Sequence, residues 1–186
     1  DYFFFFFMKI AFKETNQLVL EVNLSDPSTS ANFQERMMMT DGKRLNDFKM
    51  KFVIPTDKLD DVFNAAIKEC RTKTLEHIKL PEQESFKVEY VKDKPWGAYN
   101  WYKGNFFSVI EVNTDLPIFI DRAVDLAAHE GYPGHHVYNA LLEQNLASKR
   151  NWVEFKVYAL FSPQSLIAEG TANFGIQMAF PGDERI

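Results

Sequence analysis

Three of the four histidines fall in one window of eight residues, His129-Glu130-Gly131-Tyr132-Pro133-Gly134-His135-His136. Neighbouring imidazoles compete for partners and repel one another when protonated, so such a density needs a reason, and a shared cation supplies one. The same window restricts the backbone. His129 and His135 are six positions apart, which on an unbroken α-helix means about 240° around the axis and roughly 9 Å along it. Two rings so placed cannot meet, whereas residues four apart differ by only about 40° and roughly 6 Å. Gly131, Pro133 and Gly134 stand between the two histidines, and these are the residue types that end a helix and let the chain turn back. The expectation is a helix that breaks here and aims two imidazoles at one point.

Composition narrows what surrounds this window. With 186 residues, 46% of them apolar and 15% aromatic, the chain is long and apolar enough to bury a core and too rich in aromatics to be disordered. A net charge of -5 is the wrong sign for a protein that gains affinity by neutralising phosphates, so nucleic acid is not expected as a partner. Cys70 is the single cysteine, which excludes an internal disulfide and leaves His and carboxylates as the only material for a metal site. No run reaches the roughly 18 apolar residues of a membrane span. The Phe3 to Phe7 run has no basic residue before it, so it makes a poor signal peptide. A soluble, cytoplasmic protein is expected, with any signal peptide outside this segment. The chain opens at Asp1 without Met and stops just after its last helix, and we read it as a segment of a longer, mostly helical protein.

Patterning predicts strands followed by helices, hence an α+β fold. Phe3 to Phe12 and Gln17 to Leu24 read as extended segments joined through Glu14-Thr15-Asn16, Ser25 to Ser30 reads as a loop, and Asp41-Gly42 is a turn signal. Phe48, Met50, Phe52 and Ile54 alternate as in a strand. Thr56 is the expected cap of a helix from Lys58 to Ile78; Phe86, Val88 and Tyr90 mark a short strand; and Trp96 to Asn113 reads as a hairpin about Lys103-Gly104-Asn105. Helices are expected from Pro117 to Gly131 with Asp115 as cap, from His135 to Leu146, and from Ser162-Pro163 to Ala179. The whole of 1-186 is read as one catalytic core, strand-rich over 1-116 and carrying metal-site helices over 117-186.

A His-Glu pair followed by another His is the local grammar of a zinc hydrolase, in which imidazoles hold the metal and the glutamate takes a proton from water. A third ligand of suitable type lies downstream. Glu169 sits in the mostly apolar run Ser165-Leu166-Ile167-Ala168-Glu169-Gly170-Thr171-Ala172-Asn173, where a lone carboxylate would be costly to bury unless paired. Asn173, four residues on, shares its helical face, and Asp125, one turn before His129, could hold that ring's free nitrogen; both are candidate supports for the ligands. Cys70 is expected to be buried.

His-Glu-Gly-Tyr-Pro-Gly-His-His, followed about thirty residues later by Ala-Glu-Gly-Thr-Ala, resembles the signature of the domain-of-unknown-function 885 family, over roughly Pro117 to Ile186. That family is similar to zincin metallopeptidases whose third zinc ligand is a Glu on a following helix. The resemblance implies a zincin-like fold, a small mixed or antiparallel sheet packed on active-site helices. It also implies Zn2+ held by His129, His135 and Glu169, with Glu130 as general base. His136 is the alternate ligand or a supporting contact. The implied activity is a peptidase; hydrolysis of a non-peptide amide or ester, or a non-catalytic metal-binding scaffold, are the alternatives. An edge strand for substrate backbone is expected at Asn105 to Val112, and Tyr132, Tyr138 and Tyr158 are candidate oxyanion donors.

Overall fold

The computed structural model describes residues 42-182. The extended segments and the loop expected before Asp41 lie outside them, and of the Asp41-Gly42 turn signal only Gly42 is described, as the start of a helix. The chain divides into two units, Asp1–Lys51 and Phe52–Ile186. In the first, the described residues form a helix over 42-49, α1. The strand expected over Phe48 to Ile54 is therefore absent: α1 and a 3-10 turn at Met50–Phe52 take its place. Phe48, Met50 and Phe52 are exposed, so no sheet face selects the extended form that their alternation suggested. Only Ile54 enters the core, where its N–H donates to the Ile118 carbonyl at 2.8 Å beside an isolated bridge between Val53 and Phe119.

The second unit is α+β, a three-stranded mixed sheet with several helices. A 3-10 turn at Thr56–Lys58 precedes α2, Leu59–Leu75. That turn displaces the helix start past Thr56, which therefore caps nothing. The strands are β1 (Ser85–Val91), β2 (Ala98–Gly104) and β3 (Phe107–Asn113), in the order β1-β3-β2. β2 and β3 are the expected antiparallel hairpin, and β1 runs parallel to β3 on its other side. The hairpin turn holds Asn105 and Phe106 at φ 53° and 59°, the left-handed pair that a tight two-residue connection requires. Gly104, at φ 78°, absorbs a register irregularity just before it.

Helix α3 (Ile120–Leu126) widens into a π-helical turn, Ala127–Gly131, and α4 (His135–Leu142) passes into another, Glu143–Ser148. α5 spans Pro163–Ala179 with Pro163 in its first turn, as expected. Asp115 does not cap α3; its carboxylate accepts the Asp93 N–H at 2.8 Å, and α3 starts later, after Phe119. Two apolar clusters hold the unit together. One joins Leu59 and Phe63 of α2 to Ile110 and Val112 of β3 and Ala123 and Leu126 of α3. The other joins Ala66 and Cys70 of α2 to Ala127, Ala128, Tyr132 and Val137. On α5 the buried residues are Ala168, Ala172, Gly175 and Ala179. These small side chains let its backbone approach the π turn, where a Cβ on Gly175 would lie 3.4 Å from the Ala128 carbonyl. Among the described residues no helix is long and apolar enough to cross a membrane.

Candidate metal centre

The break between the histidines is built from backbone crossing backbone. α3 and its π turn end at Tyr132, which is extended at φ -116°, ψ 120°; a cis bond leads to Pro133, and α4 begins at His135. The Gly134 N–H donates to the Ala128 carbonyl at 2.9 Å. A Cβ on Gly134 would sit 1.8 Å from the His129 carbonyl oxygen and 2.5 Å from that of Ala128. No side chain fits there, so glycine is required by close approach. A π turn, rare and common at functional sites, carries both His129 and Glu130.

The consequence is convergence. The His129 and His135 ring centroids are 4.7 Å apart with planes at 82°. Glu169, reaching over from α5, places Oε2 3.6 Å from His129 Nε2 and Oε1 3.2 Å from His135 Nε2. One donor atom from each of the three residues lies within 4.8 Å of the others. Burial, and next the neighbouring His135, push the His129 ring down to about 4, leaving it neutral with a free lone pair at physiological pH. Burial opposes protonation of His135, but its hydrogen bond to Glu169 and the charges of Glu130 and Glu169 outweigh that and raise it. The hydrogen bond from His135 holds the Glu169 carboxyl below its ordinary value, against its desolvation. Two imidazoles and a carboxylate bordering an open cleft are a fitting donor set for zinc, which accepts three protein ligands and keeps a fourth position for chemistry.

Glu130 is only 6% exposed. Burial pushes its carboxyl up to about 7, and its side chain receives no hydrogen bond from the described residues. Its backbone is fixed instead: Asn100 Nδ2 on β2 donates to the Glu130 carbonyl at 2.7 Å. Glu143 fastens the hairpin to the helical layer by accepting from Tyr102 Oη at 2.5 Å and from the Asn105 N–H at 3.2 Å. β2 therefore lines a cleft of about 790 Å³, which is also lined by His129, Glu130, His135 and Glu169 and by Phe155, Tyr158 and Leu160.

His136 is not the alternate ligand, and Asp125 and Asn173 make no hydrogen bond to a ligand ring or carboxylate among the described residues. His136 points away from the convergence: it is 0% exposed, with Nδ1 2.8 Å from Ser108 Oγ and Nε2 2.9 Å from Glu84 Oε2. Adjacent helical residues diverge by about 100°, which prevents His136 from sharing the target of His135. Asp125 pairs with Arg122, its neighbour one turn earlier, and makes no hydrogen bond to His129. Asn173 is exposed and donates to the Glu169 backbone carbonyl at 2.9 Å, so it supports the helix and not the ligand. Glu169 itself is 43% exposed; the buried face of α5 is its alanine stripe, while Leu166 and Ile167 face outward. Its side chain is therefore only half-buried, not enclosed as its apolar sequence surroundings suggested.

Two further corrections concern substrate contacts. Asn105 to Val112 is no edge: β3 is central, paired on both sides, and β2 is the edge that borders the cleft. Tyr132 is buried with its hydroxyl on Glu84 at 2.5 Å, and Tyr138 does not border the cleft. Tyr158 does, and so does Tyr99, which sequence reasoning passed over as one aromatic among many in the hairpin. Glu84 was also missed, because nothing near it in the sequence announces partners 48 and 52 positions away. No family model, no curated protein and no solved structure matches this chain.

Proposed function

We propose that this chain is a zinc-dependent metallohydrolase that cleaves peptide bonds, with the zincin-like, glutamate-ligand arrangement implied by its resemblance to the domain-of-unknown-function 885 family. The observation that carries this reading is the meeting of His129, His135 and Glu169 within 4.8 Å beside a buried Glu130 whose side chain receives no hydrogen bond from the described residues. A structural ion pair would not need that fourth group.

His129, His135 and Glu169 would hold the zinc ion. Bound there, zinc would polarise a scissile carbonyl and increase the acidity of water. Glu130 is next in sequence to a ligand and borders the same cleft, so its carboxylate can accept a proton from the attacking water and return it to the leaving amine. Tyr99 and Tyr158 line the cleft and offer hydroxyl donors for the developing oxyanion. The outer edge of β2 is unpaired among the described residues, and an extended peptide can add to it. Zinc-edge anomalous scattering and elemental analysis test the first half of the proposal. The second half is tested by turnover of a peptide panel beside non-peptide amides and esters. Glu130→Gln is expected to lower kcat by about 100- to 10,000-fold with zinc retained, and His135→Ala to lose both. Zinc at full occupancy with no turnover of any amide or ester would leave a binding scaffold instead.

A further inference from the structure

A second polar cluster lies behind the cleft. Glu84 sits between α2 and β1, its side chain wholly enclosed. Its two oxygens are divided between different partners. Oε1 accepts from Arg71 Nε at 3.1 Å and Nη2 at 2.8 Å, while Oε2 accepts from the Tyr132 hydroxyl at 2.5 Å and from His136 Nε2 at 2.9 Å. A carboxylate so bonded only accepts, so His136 Nε2 carries a proton. Ser108 Oγ meets the other ring nitrogen. The sequence of contacts Ser108–His136–Glu84 has the composition of a hydrolytic triad, but Ser108 is 0% exposed on the central strand and does not border the cleft. No substrate reaches it there.

The location of the partners is more informative. Tyr132 and His136 are the two ends of the connection Tyr132-Pro133-Gly134-His135-His136, and one oxygen of Glu84 holds both. His135 lies inside that span, and His129 and Glu130 lie on the turn that enters it. Phe86 closes the apolar side, with its ring centroid 5.1 Å from both Tyr132 and His136. Fixing the two ends of so short a connection fixes the direction in which the intervening imidazole leaves it.

We propose that Glu84 is a positioning residue of the metal centre: it touches no ligand, but by gripping Tyr132 and His136 together it sets the spacing between His129 and His135. The proposal rests on the metal-site reading for its principal readout. Arg71 provides the comparison: it occupies the other oxygen and its side chain is 44% exposed, and although its guanidinium also lies 5.8 Å from the Tyr132 ring centroid, among the described residues it makes no hydrogen bond to His136 and so does not tie the two ends together. A purely structural ion pair would make Arg71 and Glu84 variants differ in stability alone.

The test compares Glu84→Gln, Tyr132→Phe and Arg71→Ala by zinc affinity against a chromophoric chelator and by the visible absorption spectrum of the cobalt-substituted protein. Glu84→Gln is expected to weaken zinc by 10- to 100-fold, the range seen when supports behind metal ligands are removed, and to shift the cobalt bands. Tyr132→Phe should give a smaller loss of the same kind, and Arg71→Ala a change under twofold. If Glu84→Gln fails to fold, Tyr132→Phe decides. Zinc affinity within twofold of the parent in every folded Glu84 and Tyr132 variant, with unchanged cobalt bands, overturns the proposal. Should the parent chain bind no zinc, the metal-site reading fails separately. The grip is then judged in metal-free protein by imidazole 15N signals: those of His129 and His135 move in Glu84→Gln or Tyr132→Phe and not in Arg71→Ala if it is right, and stay in place if it is wrong.

Discussion

Glu84 and Glu130 are buried alike, 7% and 6% exposed, and they titrate in opposite directions. Burial presses both carboxyls upward, but hydrogen bonds from His136, Tyr132 and Arg71 overcome it at Glu84 and hold that carboxyl below its ordinary value. Glu130 has no such donors among the described residues, and burial lifts it to about 7. On the proposed metallohydrolase reading, that difference suits Glu84 to holding structure and Glu130 to taking up a proton. With similar exposure to solvent, the hydrogen-bond donors around Glu84 favour its charged form, while Glu130, which receives none from the described residues, is left to its desolvation.

The harshest way to break the comparison is to remove the fold-back that lets both carboxylates act on one connection. Gly134→Ala forces a methyl into backbone oxygens, and we expect a loss on the order of 4 kcal/mol or more, together with zinc binding. Chemical denaturation and zinc stoichiometry measure it; a stable, zinc-binding alanine variant would mean that the crossing is not as close as described.

Glu84→Leu comes next. It leaves Tyr132 and His136 enclosed without an acceptor, and breaking a buried pair from one side costs about 3–5 kcal/mol. A carboxyl whose folded value is depressed contributes stability above about 4.5 that is lost as pH falls. The leucine variant should therefore lie furthest below the parent at neutral pH and approach it in acid. A deficit independent of pH would assign the loss to packing.

Glu130→Gln should move the opposite way. Its folded value is raised from 4.5 to about 7, so its contribution is fully present below about 4.5 and lost as pH rises through 7. That interval corresponds to at most about 3 kcal/mol. In chelated protein the glutamine variant should match the parent near pH 4.5 and exceed it by up to that amount at pH 8. Denaturation curves at the two pH values read this directly, and equal stability at pH 8 would show that Glu130 is better solvated than its burial implies.

These contrasts mark how far the sequence could be read. The convergence of His129 and His135 was legible because its signal is local, ligand types with glycine and proline between them inside eight residues, and Glu169 stood out as one carboxylate in an apolar helical run. The hairpin and α5 were legible for the same reason, through turn residues and Ser162-Pro163. What was not legible depends on which surface a side chain meets. Phe48 to Ile54 alternates like a strand but finds no sheet. Glu84 resembles any other loop carboxylate until the fold brings Tyr132 and His136 to it. His136 could have been separated from His135 by the helical angle alone, and Glu169 does meet the two histidines, although its side chain is 43% exposed and not enclosed as its apolar run suggested.

The smallest effects belong to Asp125 and Asn173, whose types and spacing suggested support for the ligands. Asp125 is engaged by Arg122, an exposed pair one helical turn apart, and such pairs contribute about 0.5 kcal/mol or less. Asn173 caps no ligand atom and bonds a carbonyl of its own helix. Asp125→Asn and Asn173→Ala are therefore expected to change stability by under about 0.5 kcal/mol and zinc affinity by less than twofold. A tenfold loss of zinc in Asp125→Asn would return that residue to the ring nitrogen of His129, and the support of the centre would then be shared between Glu84 and a residue on α3.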